Sequence, residues 1–216
     1  MNKKSNKIFL MLFLLSGITL AAVPDTSYKT MKDTAFFNNR LRTYNAGLTT
    51  IECDFVQKKY MIILSEPIVS NGNFCYKNGV MIRWEYTEPF KYLIVINNGR
   101  MSIKDDEKAN SYDLTASDSF NKLNTILGKI LQGNVLNEKN DFTCSYYEND
   151  LNFKLVLTPG SKDIKAFFKN IVLFFEKKMF SVARVQLNEV SGDVTDIWFN
   201  NRKINGALSD DLFLIK

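Results

Sequence analysis

The sequence predicts a mainly β domain, one antiparallel sheet of ten or eleven strands accompanied by two helices. Three observations predict it. Between Gly72 and Asp106, the dipeptides Asn78-Gly79 and Asn98-Gly99 separate apolar runs; both positions of such a two-residue turn need positive φ, which Asn and Gly reach at least cost. Within Met81–Thr87, Ile82, Trp84 and Tyr86 share one face and Arg83 and Glu85 the other, the period-two pattern of a half-buried strand. Helical periodicity with capping residues is confined to two segments.

The elements follow in chain order. Lys3, Lys4 and Lys7 precede an apolar run from Ile8 to Leu20 and the small residues Ala21 and Ala22. Residues 1–22 are therefore expected to be a cleavable secretory leader, too short and wrongly flanked for a membrane span, and 23–216 one exported domain. Asp25 or Thr26 can cap a first helix over roughly Ser27–Asn45, with Tyr28, Met31, Ala35 and Phe36 on its apolar side and Gly47 after its end. Strands are expected at about Leu48–Tyr60, where Ile51, Cys53, Phe55 and Gln57 share a face, and at about Pro67–Lys77, followed by the meander just described and a short strand near Ser111–Leu114. A second helix covers about Asp118–Gln132, capped by Ser117, with Phe120, Leu123, Leu127 and Ile130 in one stripe and Gly133 at its end. Strands at 141–148, 151–158, 168–176, 180–190 and 193–201 complete the sheet, with Pro159-Gly160, Lys177-Lys178 and Ser191-Gly192 at turns between them.

Two helices are too few to blanket so many strands. A strongly curved sheet wrapped around them, an incomplete barrel with a cavity, satisfies the pattern; a barrel with a fully packed core satisfies it equally. The pattern alone leaves both open.

Composition removes several function classes. The chain has 28 basic and 23 acidic residues, but three lysines and no acid lie in the first 22 residues, leaving a net charge of only +2 beyond them. Nucleic acid is therefore not an expected partner. There is no histidine, so Ser-His-Asp and Cys-His catalytic sets and most zinc or copper sites are absent. Asp105-Asp106 and Asp210-Asp211 are adjacent pairs, which diverge in a strand. No glycine-rich phosphate loop or CxxC motif occurs, so no catalytic residue, metal or cofactor is expected. Three cysteines, Cys53, Cys75 and Cys144, allow one disulfide or three buried thiols.

Several ordered motifs resemble the outer-membrane lipoprotein carrier protein (LolA-like) family. They are Phe55-x-Gln57, Gly72-x-Phe74-x-Tyr76, Arg83-Trp84-Glu85-Tyr86-x-x-Pro89, Asn98-Gly99, Gly192-Asp193-x-Thr195-x-Ile197-x-Phe199-x-Asn201 and Asn205-x-x-Leu208-x-Asp210-x-x-Phe213. The resemblance implies an unclosed antiparallel β-barrel with a helical lid over a hydrophobic cavity. It implies a non-enzymatic periplasmic carrier that takes acylated lipoproteins from an inner-membrane ABC transporter to the outer membrane, acting as a monomer; it names no outer-membrane acceptor. In the family an arginine after the second strand bonds the lid; that position is Asn78 here, preceded by Lys77, so lid control would pass to Lys77, Arg83 or neither. No cysteine lies near the expected cleavage region, unlike the anchored LolB sister family.

Hiding an acyl chain from water is worth about 0.8 kcal/mol per methylene, roughly 10 kcal/mol for a common chain, so a carrier needs an apolar lining. Phe55, Phe74, Tyr76, Ile82, Trp84 and Tyr86 are the first candidates, then Leu93, Val95, Met101 and Ile103, although the 92–96 segment is apolar on both faces. Phe120, Leu123, Leu127 and Ile130 are the candidate lid. Two alternatives share the fold: a carrier of another lipid, such as a glycolipid or polyene-type product, and a lipid-sensing or structural module that transports nothing.

Overall fold

A computed structural model describes residues 28–78, 81–97, 99–105, 109–113 and 142–215. The expected leader, residues 1–22, and the candidate lid residues Phe120, Leu123, Leu127 and Ile130 lie outside the described residues. Chain order is β1 (Lys29–Thr30), α1 (Thr34–Gly47), β2 (Thr50–Tyr60), β3 (Ile68–Lys77), β4 (Met81–Glu88), β5 (Tyr92–Asn97), β6 (Arg100–Asp105), β7 (Ala109–Asp113), β8 (Phe142–Glu148), β9 (Asn152–Pro159), α2 (Lys162–Lys165), β10 (Phe168–Glu176), β11 (Ser181–Glu189), β12 (Val194–Ile204) and a 3-10 turn, Asp210–Phe213.

The described strands form one antiparallel sheet in the order β1-β8-β9-β10-β11-β12-β2-β3-β4-β5-β6-β7, with β1 and β7 at the two ends of that order. Among the described residues these twelve strands do not close into a barrel. The sheet's halves are two local meanders, β2–β7 and β8–β12, joined where β12 pairs with β2, Phe199 opposite Phe55. Curvature is visible in the rings. Trp84 of β4 lies 6.1 Å from Phe199 of β12, centroid to centroid, although a flat sheet would set those strands about 14 Å apart. Asn78 (φ 52°) and Gly99 (φ 73°) hold the left-handed turn conformations expected of their dipeptides.

The first helix begins later than its sequence suggests. Asp33, not Asp25 or Thr26, is its cap: the Asp33 carboxylate accepts a hydrogen bond from Phe36 N at 2.7 Å. Residues just before it are extended, because Lys29 and Thr30 pair with Glu148 and Tyr147 and Met31 N donates to Tyr146 O. The buried stripe is consequently Phe37 and Leu41, spaced by four, while Ala35 and Phe36 face solvent. Asn205 pins the far end: its side-chain amide donates to Gly47 O at 2.8 Å and accepts from Thr49 N at 2.8 Å. The α1 ring Phe37 is fully buried among Tyr146, Phe153, Phe175 and Phe180, at centroid distances of 5.0–6.1 Å.

The convex face is covered in two different ways. Over β9–β12 it carries a ladder of rings and cations. Lys154 sits between Tyr28 and Phe174, Arg184 lies 4.7 Å from Phe174 and 5.1 Å from Trp198, and Lys58 follows over Trp198. Arg184 is also held by both carboxylate oxygens of buried Asp196, at 2.7 and 2.9 Å. Asp196→Ala should lower the unfolding free energy by about 2 kcal/mol, since it removes two charge-assisted bonds and leaves the guanidinium against rings alone; a urea midpoint unchanged from wild type would contradict this. Over β3–β5 the cover is the chain's last segment. Phe213 is buried against Cys75 and Val95, and Lys77 Nζ donates to Leu208 O (2.6 Å) and Asp210 (2.7 Å), Arg83 to Leu212 O (3.0 Å), and the Asn97 amide to Phe213 O (3.2 Å).

Candidate functional site: the concave face

Alternation along β2, β3 and β4 sends Phe55, Phe74, Tyr76, Ile82, Trp84 and Tyr86 to the concave face, where all six join one apolar cluster. Phe55 and Trp84 are 5.1 Å apart, Phe55 and Tyr86 5.1 Å, and Phe74 and Trp84 5.2 Å, offsets at which edge-to-face pairs attract. Gly72, opposite both Phe55 and Tyr86, leaves room for the two rings to meet. The Tyr86 hydroxyl donates to Gln57 Oε1 at 3.0 Å, giving the Phe55-x-Gln57 pair a shared purpose: a ring and the polar partner of a neighbouring ring.

Leu93 and Val95 do not join this set. Val95 pairs with Arg83 and Leu93 with Glu85, and both pack on the convex side beneath the C-terminal segment. Their neighbours Ile94 and Ile96, opposite Trp84 and Ile82, occupy the concave face instead. Met101 and Ile103 stand opposite Ile96 and Ile94 and so share that face. Phe199 also belongs there, 6.0 Å from Phe74; it was visible in the sequence only as a motif position. Lys77 and Arg83 both lie on the convex side, engaged by the C-terminal segment and by Glu85.

The two ends of the concave face differ. The α1 rings contact Tyr146, Phe153, Phe175 and Phe180, so α1 fills the β8–β11 side. A void of about 10 Å³ remains where Tyr44, Cys53, Phe74, Ser181 and Phe199 converge. The rings of Phe55, Trp84 and Tyr86, with Ile94 and Ile96, line the β2–β6 side.

Burial keeps the titratable groups near this face in their protonated forms. Cys53, Cys75 and Cys144 are free thiols, Cys53 and Cys75 buried on opposite faces of adjacent strands. Burial, with Cys75 adding to it, pushes the Cys53 thiol from the usual 9 up to about 12; burial raises Cys144 to about 11 and the Tyr86 hydroxyl to about 12. These groups stay protonated in the fold after their unfolded counterparts have ionised near pH 9–10, so the folded chain then binds more protons. Stability should hold to about pH 8 and decline between pH 9 and 12. A thermal midpoint that stays level across that window would refute the assignment. Among the described residues no group of three or more Cys, Asp or Glu side chains is placed to hold a metal, and no helix is long and apolar enough to cross a membrane.

Comparison with known families places this geometry. The model of the outer membrane lipoprotein carrier protein LolA family matches residues 46–216, which runs from the end of α1 through every later strand. The chain belongs to the LolA family. No curated protein matches the sequence. A solved structure of an uncharacterised conserved protein from Thermus thermophilus superposes with a TM-score of 0.53 at 11% identity, covering 86% of this chain and 95% of that one. A chain of the MucA/MucB complex of Pseudomonas aeruginosa superposes with a TM-score of 0.50 at 13% identity, covering 85% of this chain and 61% of that one. A LolA superfamily protein from Nitrosomonas europaea gives 0.43 at 12% identity, covering 82% and 97%. At these identities the first two solved structures show a shared fold and nothing finer.

Proposed function

We propose that this protein is a non-enzymatic periplasmic carrier that shields the acyl chains of lipoproteins against the β2–β6 side of its concave face. It would receive them from an inner-membrane ABC transporter and release them at the outer membrane. The observation that carries this reading is the continuous aromatic lining Phe55–Phe74–Trp84–Tyr86–Phe199 on the inside of an unclosed barrel. Rings in such an arrangement supply large apolar area without a rigid mould, which suits cargo that must also leave. The direct test is titration of the chain from residue 23 with a fluorescent fatty-acyl probe and with an acylated lipoprotein. Saturable binding of both is expected; saturable binding of neither by folded protein defeats the carrier reading in favour of a structural module.

A carrier of a different lipid is the second reading. It is favoured by Asn78, which stands at the family's lid arginine and whose N–H is spent on Thr49 O, while Lys77 points to the opposite face. Binding of the acyl probe without binding of the lipoprotein would select it.

The faces of β5 give a sharper check. Ile94 and Leu93 are adjacent and both half-buried, yet they face opposite ways. Ile94→Glu puts a charge on the proposed lining and should weaken probe binding by about tenfold or more, equivalent to about 1.4 kcal/mol. Leu93→Glu should leave binding within about twofold. Equal losses in the two variants would count against the concave face as the binding surface.

A further inference from the structure

The concave face is not uniformly apolar. Trp84 is only 8% exposed, and its indole Nε1 is buried with no hydrogen-bond partner. Its cross-strand neighbours on β3 and β5, Phe74 and Ile94, carry no acceptor in their side chains. Phe55 and Phe199, whose rings lie 5.1 and 6.1 Å from the indole, offer none either. The Tyr86 hydroxyl is the nearest polar group of the lining. Burial raises its pKa and the indole offsets only part of that rise, but the two groups do not reach hydrogen-bond geometry, and the hydroxyl proton is given to Gln57. The packing thus uses the ring of Trp84 and leaves its N–H unused.

A buried donor without a partner is rare in a native fold, and a buried indole N–H ordinarily finds an acceptor. Three of the rings around Trp84 are phenylalanines, which fill the same lining without stranding a donor. We propose that Trp84 is a specificity-determining residue of this face, its indole N–H taking the carbonyl oxygen of an ester- or amide-linked acyl chain; this rests on the carrier reading, since the surface is the same. Apolar contact is non-directional, so rings alone leave a hydrocarbon chain free to slide. One donor at a fixed position sets where the carbonyl end lies, with the methylenes on Phe55, Phe74 and Phe199. A ligand lacking the oxygen leaves the N–H unpaired and binds less well.

Charge selects a neutral carbonyl over a free carboxylate. The cations of β3 and β4, Lys77 and Arg83, lie on the convex side. Arg202, which reaches the inner side beside Tyr44 and Phe199, is committed to Glu176, Ser181 and the Phe199 carbonyl. A carboxylate brought to Trp84 would meet one neutral donor and gain no cation from these three residues to offset its desolvation. An ester or amide oxygen needs only the donor.

The test is displacement of the fluorescent fatty-acyl probe from the chain starting at residue 23 by three competitors of equal chain length. They are the palmitate ester of tetraethylene glycol, the hexadecyl ether of the same alcohol, and palmitate itself. The ester should bind roughly fivefold tighter, or more, than either of the others. Trp84→Phe keeps a ring and removes the donor, and should bring ester and ether within about twofold of each other. A second readout does not depend on how that variant folds. The two tryptophans of the isotope-labelled protein give two indole N–H signals, and the one retained in Trp198→Phe should shift downfield on binding the ester and not the ether. Equal binding of ester and ether, an ester preference that survives Trp84→Phe, or an unshifted signal with ester bound overturns the anchor while leaving the carrier reading standing. Tighter binding of palmitate than of the ester overturns the choice of a neutral carbonyl. Binding of none of the three defeats the carrier reading and the anchor with it.

Discussion

Phe37→Ala is expected to lower the unfolding free energy by about 3–5 kcal/mol, the largest single effect among buried positions. The ring is fully buried, and four aromatic neighbours from β8, β9, β10 and the β10–β11 turn close around it. Three of those neighbours are on strands and the fourth, Phe180, is in the tight turn between two of them, so they cannot collapse into the space and most of the cavity would persist. Since α1 is only fourteen residues long and has no acidic side chain in its first turn, packing rather than propensity holds it in place. Urea unfolding should show the midpoint falling with little change in slope. A loss below about 1 kcal/mol would mean that α1 is not a fixed part of the core and would reopen the question of whether it moves with cargo. Acyl-probe binding by the folded fraction should survive, because the proposed lining lies on the other side of the concave face.

Gly72→Ala should cost about 3 kcal/mol, at the upper end for an added methyl group. The cause is unusual for so small a change. A Cβ at residue 72 would fall 1.9 Å from Glu85 O, a backbone atom of β4, and 2.7 Å from the Phe55 ring. The ladder already shifts register here, between Asn71 and Gly72, so the backbones approach closely and neither can withdraw without breaking neighbouring pairs. The Phe55 and Tyr86 rings that meet across this glycine would be wedged apart. The variant should therefore lose stability and acyl-probe affinity together, whereas Phe37→Ala loses stability alone. Calorimetry showing a wild-type midpoint for Gly72→Ala would require the β3–β4 spacing to be wrong.

How far the sequence discloses this architecture depends on whether the deciding contact is local. Strand limits from β2 to β6 and from β8 to β12 follow from alternation and turn residues, which are properties of neighbours in the chain. The faces of β3 and β4 follow too, because Arg83 and Glu85 contrast with Trp84 and Tyr86. The faces of β5 do not, because Leu93, Ile94, Val95 and Ile96 are all apolar; what separates them is Phe213, more than a hundred residues away, covering the outer side. The start of α1 was ambiguous for a similar reason. Asp25, Thr26 and Asp33 are all able to cap a helix, and pairing of Lys29–Thr30 with β8 selects the third. The position of Asn205, bridging Gly47 and Thr49, likewise has no local signature. The lining set was legible where strands alternate and illegible where both faces are greasy.

The joint between β12 and β2 has a consequence for how the chain reaches this state. Every other strand pair except β1–β8 links segments that are neighbours in sequence and can zip from a turn. This one closes a loop of more than a hundred residues, and it is the sheet's central seam. Until residues 194–204 are available, β2 and β11 each present a bare row of backbone donors and acceptors, β2 with the apolar Ile51, Cys53 and Phe55 beside it. Closure over such a span is slow relative to hairpin formation, and open edges of that kind invite pairing with other chains. A chain emerging from its N-terminus would hold its first meander in that vulnerable condition until its last strand arrived. The interval before the seam forms is thus the period in which a holding chaperone would matter most, and the arrival of residues 194–204 governs how long it lasts.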